Sequence, residues 1–144
     1  MALAILDANL LIYAFNPSDK IHLAALRWLE DMLSGEDVVA IPMLAISALL
    51  RVSTHPSLER VPERMKDAER FIDELTALPN VRTLHTDQEH WRHLKLVLRE
   101  SGVSGARVTD AQFAALALQH DGTLYSTDND FHRFPRLRWT NPLR

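Results

Sequence analysis

Leu3-Ala4-Ile5-Leu6-Asp7 is a short apolar run stopped by a carboxylate, and its reading decides the fold. A run so short and so uniformly apolar suits a strand buried on both faces of a parallel sheet. An acid closing it falls at the carboxyl edge, where open α/β sheets bind their ligands. Val38 to Ile41 is a second such run, ending at Pro42. Val81 to Leu84, Thr123 to Tyr125 and Leu137 to Trp139 are further short candidates, the last the most edge-like. Helical stretches alternate with these strands, and no repeat, low-complexity tract or long linker divides them. The pattern predicts a single α/β domain over residues 1–144. Its core is a central parallel sheet of about four to five strands flanked by helices.

The helices are read from apolar spacing and their end signals. Ile21, Ala25, Trp28, Leu29 and Met32 share one face, with Ser18 or Asp19 as N-cap and Gly35 beyond the end. Pro62 suits the first turn of another helix, with Ala68, Ile72, Leu75 and Leu78 on its face and Pro79 as its stop. Thr86 and Glu89 make a capping box for a third, which turns Trp91, Leu94 and Leu98 inward. Asp110 to His120 is apolar nearly all round and rich in alanine, which predicts a buried helix closed by Gly122.

With 144 residues, 47% of them apolar, the chain can bury one core without staples. It has no cysteine, which excludes disulfides and thiolate metal sites and suits a reducing cytosol. The N-terminus lacks the basic start and apolar length of a signal peptide. Ile41 to Leu50, interrupted by Pro42 and Ser47, is too short to cross a bilayer. A cytoplasmic protein without membrane association is therefore expected. Only four glycines occur and none cluster, against a P-loop or dinucleotide site. The net charge of −3 argues against a general nucleic-acid coat. Past Asp130, however, Arg133, Arg136, Arg138 and Arg144 follow with no acid among them. They form either a basic surface beside an acidic site or a solvated edge.

Three features carry the chemistry. Asp7-Ala8-Asn9 ends the first strand, Thr109-Asp110 heads the alanine-rich helix, and Ser126-Thr127-Asp128-Asn129-Asp130-Phe131 follows a short strand. Each has a bland explanation taken alone: a helix cap, an acid favoured by the helix dipole, a polar turn. Elements of one sheet would gather all four carboxylates at one polar end. Close pairs of like charges repel by roughly 4 kcal/mol at an intermediate dielectric, so such a cluster makes sense only with cations. Hard oxygen ligands without His or Cys select Mg²⁺, with Mn²⁺ as a substitute. Such a site suits phosphodiester hydrolysis, in which metal lowers the pKa of an attacking water and stabilises the leaving oxygen. Metals and nearby arginines, rather than net charge, would then attract a polyanionic backbone.

These residues, in this order and spacing, resemble the PIN-domain toxins of bacterial VapBC modules over essentially the whole chain. The matching pieces are Leu6-Asp7-Ala8-Asn9-Leu10-Leu11-Ile12-Tyr13, Leu50-Arg51-Val52-Ser53-Thr54-His55-Pro56, Thr109-Asp110 with the alanine-rich run after it, and Ser126 to Phe131. The resemblance implies a Rossmann-like domain that hydrolyses tRNA or ribosomal RNA with divalent metal to leave a 5′-phosphate. It also implies a cognate VapB-like antitoxin and a homodimer. By position, Asp7, Asp110, Asp128 and Asp130 look like catalytic metal ligands, with Asn9 and Ser126 orienting them. The family usually places a Glu before the Leu-Leu-Arg stretch. Here that position is Ala48, and no acid lies between Val38 and Leu58. A metal ion helped by that Glu would bind more weakly, which opens a second reading: a PIN fold that binds RNA or antitoxin without cutting. A phosphatase of the haloacid dehalogenase kind is disfavoured, since Asn9 stands where that family expects a second Asp.

Arg51, His55 and Arg133 are candidate RNA contacts, though a surface arginine and a turn histidine are commoner. His90 and His93 have a spacing that zinc sites use, but an exposed polar face explains them better. Trp28 and Trp91 read as core packing rather than base stacking, while Trp139 beside Arg138 is open to either.

Overall fold

The structure, a computed structural model, describes residues 2–55 and 64–144. In chain order the elements are β1 (Leu3–Leu6), α1 (Ala8–Phe15), α2 (His22–Ser34), β2 (Val38–Pro42), α3 (Met43–Ser53), α4 (Arg64–Thr76), β3 (Val81–Leu84), α5 (Gln88–Ser101), α6 (Arg107–Gln119), β4 (Thr123–Tyr125), a 3-10 turn (Asn129–Arg133) and β5 (Trp139–Thr140). The five strands form one parallel sheet in the order β3-β2-β1-β4-β5, the α/β architecture expected. β1 lies at its centre, with Ile5 paired to Ala40 on one side and Leu124 on the other. Ile5 and Leu6 are fully buried, as a strand covered on both faces requires. The chain builds outward from β1 through β2 and β3, then crosses back to β4 on the opposite side. That reversal is the switch point of the sheet, where open α/β folds bind ligands, and Asp7 and Ser126 stand beyond the carboxyl ends of β1 and β4 there.

The alanine-rich helix is buried as expected, with Ala111, Phe113, Ala114, Ala115, Leu116 and Ala117 all inside. It begins a turn early, at Arg107, so Asp110 lies within its first turn. Its closure is also different. The left-handed residue is Asp121 at φ 52°, while Gly122 is needed because a Cβ there would meet Ile5 Cδ1 at 2.8 Å and Leu3 O at 3.1 Å. Gly122 thus lets the turn into β4 lie against β1.

Other expectations shift by a residue or two. α2 starts at His22, with Ile21 at the cap and no side-chain cap bond. Asp19 instead accepts from the Ile21 N–H, at 3.1 Å, ahead of the helix. Ile21 is accordingly exposed, while Ala25 and Leu29 are buried and Trp28 and Met32 pack partly against the core. In α4, Ala68, Ile72 and Leu75 face inward, but Leu78 lies past the helix end and is exposed. Pro62 lies outside the described residues. α5 is capped by Asp87, whose Oδ1 accepts from the His90 N–H at 2.8 Å, in place of a Thr86–Glu89 box. Its buried stripe is His90, Leu94 and Val97, so Trp91 turns outward at 52% exposure and Lys95 sits 5.6 Å from its ring. β5 forms at Trp139–Thr140, beginning two residues later than the Leu137 start expected, and it is an edge strand. No helix among the described residues is long and apolar enough to cross a membrane.

Candidate active site

Asp7 closes β1 and caps α1. Its backbone N–H donates to Tyr125 O at 3.0 Å, tying the ends of β1 and β4 together. Its side chain is 9% exposed, with Oδ1 accepting from the Ala8 N–H at 2.7 Å and Oδ2 accepting from Ser126 Oγ at 2.6 Å. Ser126 is wholly buried and fixed by its own backbone. Its N–H donates to Thr140 O at 3.1 Å, and its carbonyl accepts from Trp139 Nε1 at 3.0 Å. The indole of Trp139 therefore braces the site through its N–H.

A serine hydroxyl has one proton, and here it goes to Asp7, so the Ser126 oxygen must accept from its other neighbours. Those are Asn9 Nδ2 at 3.2 Å and the Asp128 N–H at 3.0 Å. The Asn9 amide is thereby oriented, and its Oδ1 is left buried with no hydrogen-bond donor. Asp128 caps the 3-10 turn, accepting from the Asp130 N–H at 2.9 Å. One network thus unites Asp7, Asn9, Ser126 and Asp128, and Asp110 joins them through charge.

Burial pushes the Asp7 carboxyl up from its ordinary 3.8 to about 6, helped by the charges of Asp110 and Asp128 and opposed by the Ser126 and Ala8 hydrogen bonds. Asp110 is also raised, first by burial and then by the charge of Asp128. Asp130 behaves oppositely. Arg107 Nη1 sits 2.8 Å from its Oδ2 and Arg133 Nε 3.8 Å from its Oδ1, and the Arg107 hydrogen bond holds its carboxyl below the usual range.

Among the described residues, no three acids or histidines converge closely enough to form a ready ligand set for one ion. The donor chemistry nonetheless fits a hard divalent cation. Asp7, Asp110 and Asp128 repel one another, and Asn9 Oδ1 is a buried acceptor without a donor. Mg²⁺ keeps several of its waters and needs only a few carboxylates.

Other candidates separate from this centre. Arg51 is in the last turn of α3 and His55 follows it, roughly 12 Å along the axis from where the helix leaves the sheet edge. Arg136 is paired with Glu100, Nε to Oε2 at 2.9 Å, and Arg138 with Asp121 at 2.8 Å, while Arg144 bonds Asn129. Much of the tail's positive charge is thus neutralised locally, leaving Arg133 beside the acids. Arg107 was missed because the helix was read from Asp110 onward. The available signal was a cation three residues before that acid, a spacing that puts both on one helical face.

The PIN domain family model matches residues 4–137. Ribonuclease VapC37 of Mycobacterium tuberculosis is 34% identical over 138 residues, covering 96% of each chain. Ribonuclease VapC33 of the same organism is 32% identical over 138 residues, again covering 96% of each. Among solved structures, VapBC2 from Rickettsia felis, bound to a DNA fragment from its promoter, superposes with a TM-score of 0.71. At 16% identity, over 96% of this chain and 98% of that one, this is a likeness of fold. A central β1 ending in a buried aspartate, the acids gathered round it and these near-full-length relatives lead to one conclusion: the chain belongs to the PIN domain family, alongside the VapC proteins.

Proposed function

We propose that this chain is the ribonuclease toxin of a VapBC-type module, cutting RNA phosphodiester bonds with Mg²⁺, for which Mn²⁺ substitutes. The observation that carries the reading is Asp7: a buried carboxylate held by Ser126 and Ala8 in the field of two further acids. Asp7, Asp110 and Asp128 would hold the metal, and Asn9 and Ser126 orient them. When bound, the metal supplies an acidified water as nucleophile and a counter-charge for the leaving oxygen. The chain's own part is to keep Asp7 and Asp128 at fixed separation through Ser126 and to neutralise backbone charge with Arg107 and Arg133. The likeness to VapC ribonucleases supports RNA cleavage, and the VapBC complexes among the fold neighbours support a VapB-like antitoxin as partner. The reading extends to an endonucleolytic cut in tRNA or ribosomal RNA that leaves a 5′-phosphate, a homodimer and a cytoplasmic setting.

The test is cleavage of total RNA by the purified protein in Mg²⁺ or Mn²⁺, beside EDTA and Asp7→Asn controls, with the new 5′ ends characterised. Discrete fragments that need metal and vanish in Asp7→Asn support the proposal. Ala48 favours a second reading, because an alanine supplies no oxygen where the family usually has a Glu. If RNA is bound but never cut, the chain is a binding member of its family.

A further inference from the structure

Arg107 is the first residue of α6, and its side chain crosses to the 3-10 turn after β4. We propose that Arg107 is the residue that receives the substrate's phosphodiester, resting on Asp130 until RNA arrives, and that Asp130 positions this guanidinium rather than holding metal. The inference rests on the ribonuclease reading and adds to it the residue that seats the scissile strand.

Three observations carry it. The ion pair joins the two elements that bring Asp110 and Asp128 to the site, so the guanidinium stands at the mouth of the acidic centre. Asp110 and Asp128 act on Arg107 as well as Asp130 does, which places the cation in the field of all three acids. The pair is also open to solvent, with Arg107 38% and Asp130 41% exposed. An exposed pair is weak in water and exchanges readily. A guanidinium fork matches a phosphodiester's two free oxygens as well as it matches a carboxylate, so moving from Asp130 to RNA trades like for like.

Location separates Arg107 from the other paired arginines. Arg138 is bound to Asp121, beyond the opposite end of α6, roughly 18 Å from Arg107 along the helix. Arg136 is occupied by Glu100 of α5. Arg133, at 3.8 Å from the other oxygen of Asp130, supports the same anion from the far side.

The test measures binding of a labelled single-stranded RNA in EDTA, where no cleavage occurs, across a salt series, together with cleavage in Mg²⁺ or Mn²⁺. Wild type is compared with Arg107→Ala, Arg107→Lys and Arg136→Ala, and thermal melting confirms that each is folded. Arg107→Ala is expected to bind on the order of tenfold more weakly, as loss of a charged hydrogen bond implies. Its log–log salt slope should be shallower by about 0.7, one phosphate contact's worth on a single strand. Arg107→Lys should recover the slope but not the cleavage rate, because it keeps the charge and loses the fork. Mn²⁺ affinity should be unchanged or higher in Arg107→Ala, and Arg136→Ala should match wild type throughout.

If wild type cuts RNA while Arg107→Ala binds with the same slope and cuts as well or better, Arg107 merely restrains Asp130 and the proposal fails by itself. If wild type neither binds nor cuts RNA with metal present, the ribonuclease reading fails and this inference falls with it.

Discussion

Ser126 Oγ donates to Asp7 Oδ2 across 2.6 Å, linking residues 119 positions apart in the sequence. The same oxygen accepts from Asn9 and from the Asp128 N–H, so one buried atom sets the spacing of three site residues. Ser126→Ala removes the donor that stabilises charged Asp7 and the acceptor used by both others. We expect a loss of about 1–3 kcal/mol in urea unfolding, from buried groups left without partners, and a larger fall in the cleavage rate. Unchanged cleavage would mean that the Asp7–Asp128 spacing is set elsewhere.

Asp7→Asn separates stability from activity. With the Asp7 carboxyl raised from 3.8 to about 6, the folded chain binds more protons than the unfolded chain between those pH values. Metal-free protein therefore loses stability as pH rises through that window. Asparagine keeps one oxygen as the acceptor for the Ala8 N–H, turns its Nδ2 donor toward Ser126 in place of the second oxygen, and carries no charge to desolvate. Metal-free Asp7→Asn should be more stable than wild type at pH 7, by up to about 2–3 kcal/mol, with a flatter profile between pH 4 and 6 and no cleavage. A variant less stable than wild type at neutral pH would show that the carboxylate is not under strain from burial.

The four aspartates were legible in sequence because each sits at a boundary marked locally: a strand stopped by an acid, a helix head, a polar turn. Their neighbourhood followed from the strand pattern, since parallel strands share one carboxyl edge. Their partners were not legible. The Asp128 N–H bonds Ser126 Oγ, whereas Asp130 is met by Arg107 through space over 23 residues of chain. The phase of α5 was misread for a related reason. Trp91, Leu94 and Leu98 and the observed His90, Leu94 and Val97 differ by a rotation of about one residue, or ~100°, and packing on α6 decides between them. Trp91 can lie outside because Lys95 covers part of its ring.

Trp139→Phe tests the bracing of Ser126 from the edge strand. It keeps an aromatic ring against the core and removes the Nε1–H bond to the Ser126 carbonyl together with part of the indole's volume. The cost should be about 1 kcal/mol for the hydrogen bond plus the packing lost with the smaller ring, with cleavage reduced several-fold. Loss of RNA binding in EDTA with cleavage chemistry intact would instead make the indole a base-stacking surface.

His90 is expected to shape the acid limb of stability. It is 4% exposed and neither ring nitrogen has a hydrogen-bond partner. Burial pushes its pKa below the ordinary 6.5, with His93 acting the same way and Asp87 opposing. Below pH 6.5 the unfolded chain gains a proton that the folded chain resists, so stability should drop as pH falls toward the depressed folded value. His90→Leu should unfold at higher urea than wild type at pH 5.5 and show a flatter profile from pH 7 to 5. An identical profile in the variant would assign the acid limb to other groups.

Ala48→Glu decides what the missing family carboxylate means. Ala48 is half-buried on α3 and packs against the core, and α3 leaves the same sheet edge that carries Asp7. Glutamate and alanine are both good helix formers, so the substitution leaves α3 intact. A carboxylate added here that reaches the field of Asp7, Asp110 and Asp128 should lower metal-free stability through like-charge repulsion and raise Mn²⁺ affinity. On the order of tenfold is expected, as for residues that support a metal site from outside its ligands. Calorimetric titration with Mn²⁺ and the RNA cleavage assay read the two effects separately. If affinity and cleavage rise together, Ala48 weakens an otherwise working centre. If the substitution creates cleavage where the native chain has none, the native chain binds RNA and the acids retain a site that the substitution completes. If neither changes, the region around Ala48 does not reach the metal, and the carboxylates gathered round β1 hold it without help from α3.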